Sequence, residues 1–304
     1  MPLPTTMDEP KSTAPMTVPE AYEACTRIAK AHYENFPVGW LVPRELQPHV
    51  HAVYAFARTA DDLADEGYAS GGPGSGIMLP AERIAALEDW ERQLVAPPGT
   101  SGLHFIFVAL HETIRRFDLP LSLFTDLLSA FKQDVVKRRY ADFAEVQDYC
   151  RRSANPIGRL VLLLHGHREP ELHRLADHIC TGLQLANFWQ DVGVDLEKDG
   201  RMYLPEDGRA TYGVTEEALF ERRANDAYRR LLKFEVDRAR DIFKQGEPLT
   251  KYLRGKLRLE IRLTWLGGTT ILQKIEALDY DTLTRRPVIA KTDYMKLLAK
   301  ALIS

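Results

Sequence analysis

Five carboxylates in two short stretches are the residues most able to do chemistry: Asp61, Asp62 and Asp65 in ARTADDLADE, and Asp191 and Asp195 in NFWQDVGVD. Each stretch holds a pair four residues apart, so on a helix Asp61 and Asp65, or Asp191 and Asp195, share a face. Such a face ordinarily lies in water, paired with Lys or Arg, and Arg58 stands one turn before Asp62. The residues that lead into each pair argue for something else. Leu46, Val50, Val53, Tyr54 and Ala57 run at helical spacing into Asp61 and Asp65. Leu172, Ala176, Cys180 and Leu183 run likewise into Asn187, Asp191 and Asp195. Both pairs therefore continue an apolar stripe, where an unpartnered carboxylate costs on the order of several kcal/mol. Two such pairs favour one internal site over two solvated faces. Opposed across a helical interior, they would repel unless divalent cations lay between them.

Ligands that are all oxygen select a hard cation, which favours Mg²⁺ over zinc. Mg²⁺ keeps waters and takes one or two carboxylates together with phosphate oxygens, so a diphosphate is the expected missing ligand. Arg58, Lys198 and Arg201 are the basic groups near the motifs that could bind the same anion. Acidic walls with Mg²⁺ between them suit the extraction of a diphosphate leaving group. The carbocation left behind needs an apolar, aromatic lining. Phe36, Tyr54, Phe56, Phe188 and Trp189 are candidates for it, and the same spacing also suits plain core.

The elements that must position these residues read as helices. Apolar residues recur at spacings of three and four over 43–66, 81–95, 102–117, 120–135, 143–165, 170–197, 215–245 and 248–277. Within the segment 219–243, Phe220, Ala224, Ala227, Leu231 and Phe234 follow one face. Thr17 and Glu20 form a capping box at a first helix, with Pro19 early in it. The pattern predicts an all-α chain: a disordered leader over 1–16 and a single domain over 17–304, interrupted by a mobile Gly-rich loop at 69–79. A second break spans Lys198 to Tyr212, where Gly200, Pro205 and Gly208 fall. The loop sequence GGPGSG follows no predicted strand and fits no phosphate-binding glycine motif.

Composition narrows the function further. The 304 residues carry 40 Lys and Arg against 43 Asp and Glu, a balance that argues against a nucleic-acid partner bound through bulk charge. Cys25, Cys150 and Cys180 are too scattered for a disulfide framework or a zinc site and fit a reduced, cytoplasmic setting. No run approaches the apolar length of a membrane span, and the proline-rich first sixteen residues do not form a signal peptide.

HYENF at 32–36, YAFARTADDLAD at 54–65, DYCRRSANPIGRL at 148–160 and QLANFWQDVGVDLEKDGRMYLP at 184–205 resemble the squalene/phytoene synthase family. The resemblance covers nearly the whole chain after residue 17. It implies an isoprenoid-synthase-type helical bundle with a central active-site cavity. It also implies that Asp61, Asp65, Asp191 and Asp195 are Mg²⁺ ligands, with Asn187 beside them as a metal or phosphate contact. Arg58 occupies the diphosphate-binding position, and His32 and Asn35 fall in a segment that touches the diphosphate. Tyr54 and Tyr149 correspond to cavity-lining aromatics, and Tyr203 to the segment that closes over the site.

Departures from the general pattern point to a branch. Gln190 stands where many members have Arg, and Ser153-Ala154-Asn155-Pro156 replaces a Val-Ala-Gly-like run. These features resemble bacterial hydroxysqualene synthases, lyases of hopanoid and squalene biosynthesis that add water to the cation from presqualene diphosphate. That substrate is supplied by a sister synthase. Loss of Arg at 190 removes a fixed positive charge beside the metal, while Ser153, Asn155 and Gln190 offer neutral groups to hold a water. No dinucleotide fingerprint is visible, in keeping with a reaction that needs no NADPH. The rival readings are head-to-head coupling of two farnesyl diphosphates to presqualene diphosphate, squalene or dehydrosqualene, and a non-catalytic helical scaffold. Water-insoluble reactants make peripheral contact with the inner membrane face an expectation. The C-terminal run Asp293–Ser304, with Tyr294, Leu297, Leu298, Ala301 and Leu302 on one face, could dock on the bundle, on a partner or on lipid.

Overall fold

A computed structural model describes residues 16–32, 41–65, 78–97 and 99–303. The leader up to residue 15, the loop 69–79 apart from its last two residues, and Asn35 and Phe36 lie outside the described residues, as does the side chain of His32. Every regular element among the described residues is helical, as the periodicity predicts. They gather into two compact units: Met1–Val136 with Leu163–Gly166, and Lys137–Leu162 with His167–Ser304.

The first unit contains α1 (Val18–His32), α2 (Gln47–Asp65), α3 (Pro80–Leu94), α4 (Phe105–Phe117) and α5 (Leu121–Val136). Glu20 accepts hydrogen bonds from both the N–H and the hydroxyl of Thr17, at 2.8 and 2.7 Å, so the expected capping residues pin the start of α1. Helix α2 packs on α1, α3, α4 and α5, and its buried face is His49, Ala52, Val53, Phe56, Ala60 and Ala64. Phe56 sits edge-on to Phe107 and Phe124, so it belongs to the packed core and not to a cavity lining.

The second unit contains α6 (Phe143–Ser153), most of α7 (Asn155–Leu164), α8 (Pro170–Gln190), α9 (Val192–Asp199), α10 (Glu206–Tyr212), α11 (Glu216–Phe220), α12 (Asp226–Gly246), α13 (Leu249–Tyr252), α14 (Gly255–Ala277) and α15 (Lys291–Ile303). Helix α8 is the centre of its contacts, packing on α6, α12 and α14. Gly182 lets α8 approach α12 closely, because a Cβ there would meet the ring of Phe243.

Five expectations about elements are corrected. The segment 248–277 splits into α13 and α14 at the extended Leu253. The segment 143–165 breaks at Ala154, and 170–197 breaks at Asp191, whose φ of −106° and ψ of 12° leave the helical region. The break between 190 and 192 has a cause: the Gly193 N–H bonds to the Thr282 carbonyl at 3.2 Å. The segment 215–245 is two helices, because Asn225 caps α12 by accepting from the Tyr228 N–H at 2.9 Å. Its buried face is therefore Tyr228, Leu231, Leu232, Glu235, Val236, Ala239, Ile242 and Phe243, whereas Phe220 and Phe234 are exposed. Finally, the break at Lys198 to Tyr212 contains helix α10, with Pro205 at its N-cap.

Candidate active site

In the first unit, the acids of α2 stand on the flank of the buried face, not on it. Leu46, Val50, Tyr54 and Ala57 are only partly buried, and the side chain of Asp61 is 41% exposed. The core face is turned about one residue position around the helix and is filled by alanines and histidines, whose mixed character hides it in the sequence. Arg58 pairs with Asp62 at 2.5 Å and with Asp61 at 3.3 Å, so the local cation that the sequence offered is engaged. Tyr54 shares this flank. Its phenol is pushed up mainly by burial, with Arg58 opposing and the two aspartates adding to the shift. The stretch thus presents Tyr54, Arg58, Asp61 and Asp65 together on one side of α2.

In the second unit, Asp191 is buried at the α8–α9 break and Asp195 lies one turn on, part-buried, while Asn187 is exposed one turn before. Burial, then the charge of Asp191, pushes the Asp195 carboxyl up to about 7, against the opposing effect of Arg201. Asp191 is held by a residue the sequence reading missed. Arg286 makes a two-point contact with its carboxylate, Nε at 2.5 Å and Nη2 at 3.0 Å. The positive charge expected to be absent because residue 190 is Gln is therefore restored from the C-terminal part of the chain. Gln190 itself is buried, and its amide nitrogen donates to the Pro287 carbonyl at 2.6 Å. The RRP at 285–287 was the one available signal, and as a short basic run it carried no indication of a target.

The closing segment expected at Tyr203 is an aromatic stack. Tyr203 lies flat on Phe188, with centroids 3.5 Å apart and planes at 9°, and both contact the buried Tyr149. Trp189 is fully buried beside them. Arg201 pairs with Asp199 at 2.9 Å and donates to the Tyr203 hydroxyl at 3.2 Å, while Lys198 is exposed. Asn155 is buried and its Oδ1 accepts from the Thr181 hydroxyl at 2.9 Å. Ser153 Oγ is buried and has no hydrogen-bond partner among the described residues.

Among the described residues, no three His, Cys, Asp or Glu side chains form a ready-made metal cage. Two-carboxylate pairs of hard oxygen fit Mg²⁺ with its remaining positions left to water and phosphate, and do not fit zinc. A cavity of about 650 Å³ in the first unit, lined by Tyr22, Glu23, Arg27, His49 and Arg116, includes none of the motif residues. His49 lies ~18 Å along α2 from Asp61 at the helical rise. No described helix is long and apolar enough to cross a membrane. Helix α15 docks on α14 through Leu297 and Ala301, with Lys274 and Asp293 paired at 2.9 Å, and leaves Leu298 and Leu302 exposed.

The profile of the squalene/phytoene synthase family matches residues 29–293. Among curated proteins, the chain is 28% identical to phytoene synthase of Arthrospira platensis over 96% of each chain. It is 29% identical to 15-cis-phytoene synthase of Synechococcus elongatus over 91% of each. The structure of squalene synthase HpnC from Alicyclobacillus acidocaldarius is 38% identical, with a TM-score of 0.78 over 86% of this chain and 95% of that one. A dehydrosqualene synthase structure, 21% identical over 94% of this chain and 96% of that one, shares the fold with a TM-score of 0.78.

Proposed function

The chain belongs to the squalene/phytoene synthase family, and within it we propose that it is a hydroxysqualene synthase acting on presqualene diphosphate. The observation that carries this finer reading is the 38% identity to squalene synthase HpnC, against 28–29% to the phytoene synthases. Residues 17–304 form one catalytic domain in this reading.

Asp61 and Asp65 from α2, with Asp191 and Asp195 from α8 and α9, would hold the Mg²⁺ ions, and Asn187 stands beside them. The ion held there would supply charge neutralisation for the departing diphosphate. Arg58, Lys198 and Arg201 pair with the diphosphate oxygens, and the family resemblance adds His32 and Asn35 to these contacts. Tyr54 and the Tyr149–Phe188–Tyr203 stack face the carbocation with aromatic surface, which stabilises positive charge without offering a nucleophile. The C–O bond to the diphosphate breaks with its electron pair leaving on oxygen. After rearrangement, a water oxygen forms the new C–O bond and releases a proton. No electrons enter, so NADPH is not required. Ser153 and Asn155 supply the polar groups that hold this water. The orphaned Ser153 hydroxyl supports that role.

A second reading is favoured by the curated names, which are those of enzymes called phytoene synthase: coupling of two prenyl diphosphates. One experiment separates the two. The protein is given presqualene diphosphate with Mg²⁺, and separately farnesyl diphosphate, each with and without NADPH. Hydroxysqualene from presqualene diphosphate alone is expected. A C30 product from farnesyl diphosphate would establish coupling instead, and inactivity with both substrates would leave a helical scaffold. The water-insoluble product makes peripheral contact with a lipid surface part of the proposed cytoplasmic setting.

A further inference from the structure

The segment 281–287 runs over the second acidic motif and is fastened there at several points. Gly193 N–H donates to the Thr282 carbonyl at 3.2 Å, and Arg222 Nε donates to the Leu283 carbonyl at 2.8 Å. The Tyr228 and Thr282 hydroxyls are 2.8 Å apart, and Gln190 Nε2 donates to the Pro287 carbonyl at 2.6 Å. Asp281 accepts from the Thr284 N–H and hydroxyl, which sets the turn within the segment. None of these bonds involves the side chain of Arg286, so the segment does not need that side chain to stay in place. Even so, Arg286 spans both oxygens of the buried Asp191 while remaining 48% exposed itself. A guanidinium with that much freedom can leave the carboxylate without moving the backbone.

We propose that Arg286 is a resident cation for Asp191 that a divalent metal must displace, so that Arg286 sets the metal concentration the second acidic motif requires. The proposal rests on the reading of Asp191 as a metal ligand. A carboxylate that gives one lone pair on each oxygen to a planar fork keeps fewer directions open to a metal, and metal and guanidinium compete for the same charge. In the metal-free protein the two-point contact orients Asp191. In the metal-bound protein the guanidinium is released toward solvent. Arg286 is therefore a positioning residue for the ligand and not itself a ligand.

The test is Mn²⁺ binding to the intact protein without substrate, followed through the electron paramagnetic resonance of free Mn²⁺ at fixed pH. Wild type, Arg286→Met, Arg286→Lys and Asp191→Asn are compared, with melting temperatures recorded with and without Mn²⁺. Arg286→Met is expected to bind the Asp191-dependent ion roughly tenfold more tightly, the scale of one charge-assisted hydrogen bond. Its melting temperature should rise more on adding Mn²⁺ than that of wild type. Arg286→Lys keeps the charge but not the fork and should fall between them. Equal or weaker binding by Arg286→Met, with Asp191→Asn weakened, would overturn the role of Arg286 while leaving Asp191 a ligand. Unchanged binding by Asp191→Asn, or no binding by any form, would overturn the ligand assignment and the proposal with it.

Discussion

Replacing Glu260 by Gln should stabilise the protein in a strongly pH-dependent way. Glu260 lies on α14, 94% buried, and its Oε2 has no hydrogen-bond partner among the described residues. Burial alone pushes its carboxyl up from 4.5 to about 7. Because the folded value is the higher one, the folded state holds the proton more tightly than the unfolded chain. The favourable contribution is complete below pH 4.5, declines as pH rises through the window from 4.5 to 7, and is gone above it. At 1.36 kcal/mol per unit, the shift costs about 3 kcal/mol at pH 8 and under about 1 kcal/mol at pH 5. Glu260→Gln removes the ionisation while keeping the shape. In urea titrations, the variant should gain about 2.5 kcal/mol more over wild type at pH 8 than at pH 5. Equal effects at the two pH values would show that Glu260 ionises freely in the folded protein and would refute the burial argument.

Three further outcomes follow from the site. Asp61→Asn and Asp195→Asn should each lower single-turnover diphosphate release by about 100-fold or more, the scale of losing several kcal/mol of charge stabilisation, with unchanged circular dichroism. Wild-type rates in both would remove the paired carboxylates from catalysis. Gly193→Ala puts a methyl against the Leu283 carbonyl and the Arg222 guanidinium, and should cost about 1–3 kcal/mol in denaturant unfolding. An unaltered midpoint would mean that the 281–287 segment moves aside freely. Asn155→Leu should lower the alcohol fraction of the product more than the rate of diphosphate loss, and an unchanged product ratio would take Asn155 out of water capture.

Most of the helices were legible because their apolar residues repeat locally, and the capping pair Thr17 and Glu20 was legible for the same reason. What escaped was decided by distant partners or by residues of ambiguous character. The break at Asp191 depends on an N–H of Gly193 reaching a carbonyl at Thr282, which no window around either residue reveals. Arg286 meets Asp191 across 95 positions, so no local window around either residue reveals the two-point ion pair. The stripe leading to Asp61 was placed one position off because His49 reads as polar, although it is buried and within 3.0 Å of the Tyr22 and Thr113 hydroxyls. Helix α10 was read as a loop because Pro205 and Gly208 are breakers in the middle of an element but tolerable at a short helix that begins on proline. The acidic motifs themselves were legible from residue type and spacing, whereas what holds Asp191 in place was not.

The 281–287 segment also fixes an order of events at the ribosome. Asp191 is translated 95 residues before Arg286, a delay of about 5–20 s at ordinary elongation rates. Through that interval α8 can form, but Gln190, Asp191 and Gly193 have none of the long-range partners that anchor them in the finished chain. A nascent chain halted before residue 282 would carry an intact pair of acids with no guanidinium to hold Asp191. Assembly of the second acidic motif therefore waits on synthesis past residue 287, and a product stalled earlier would leave Asp191 without its two-point partner.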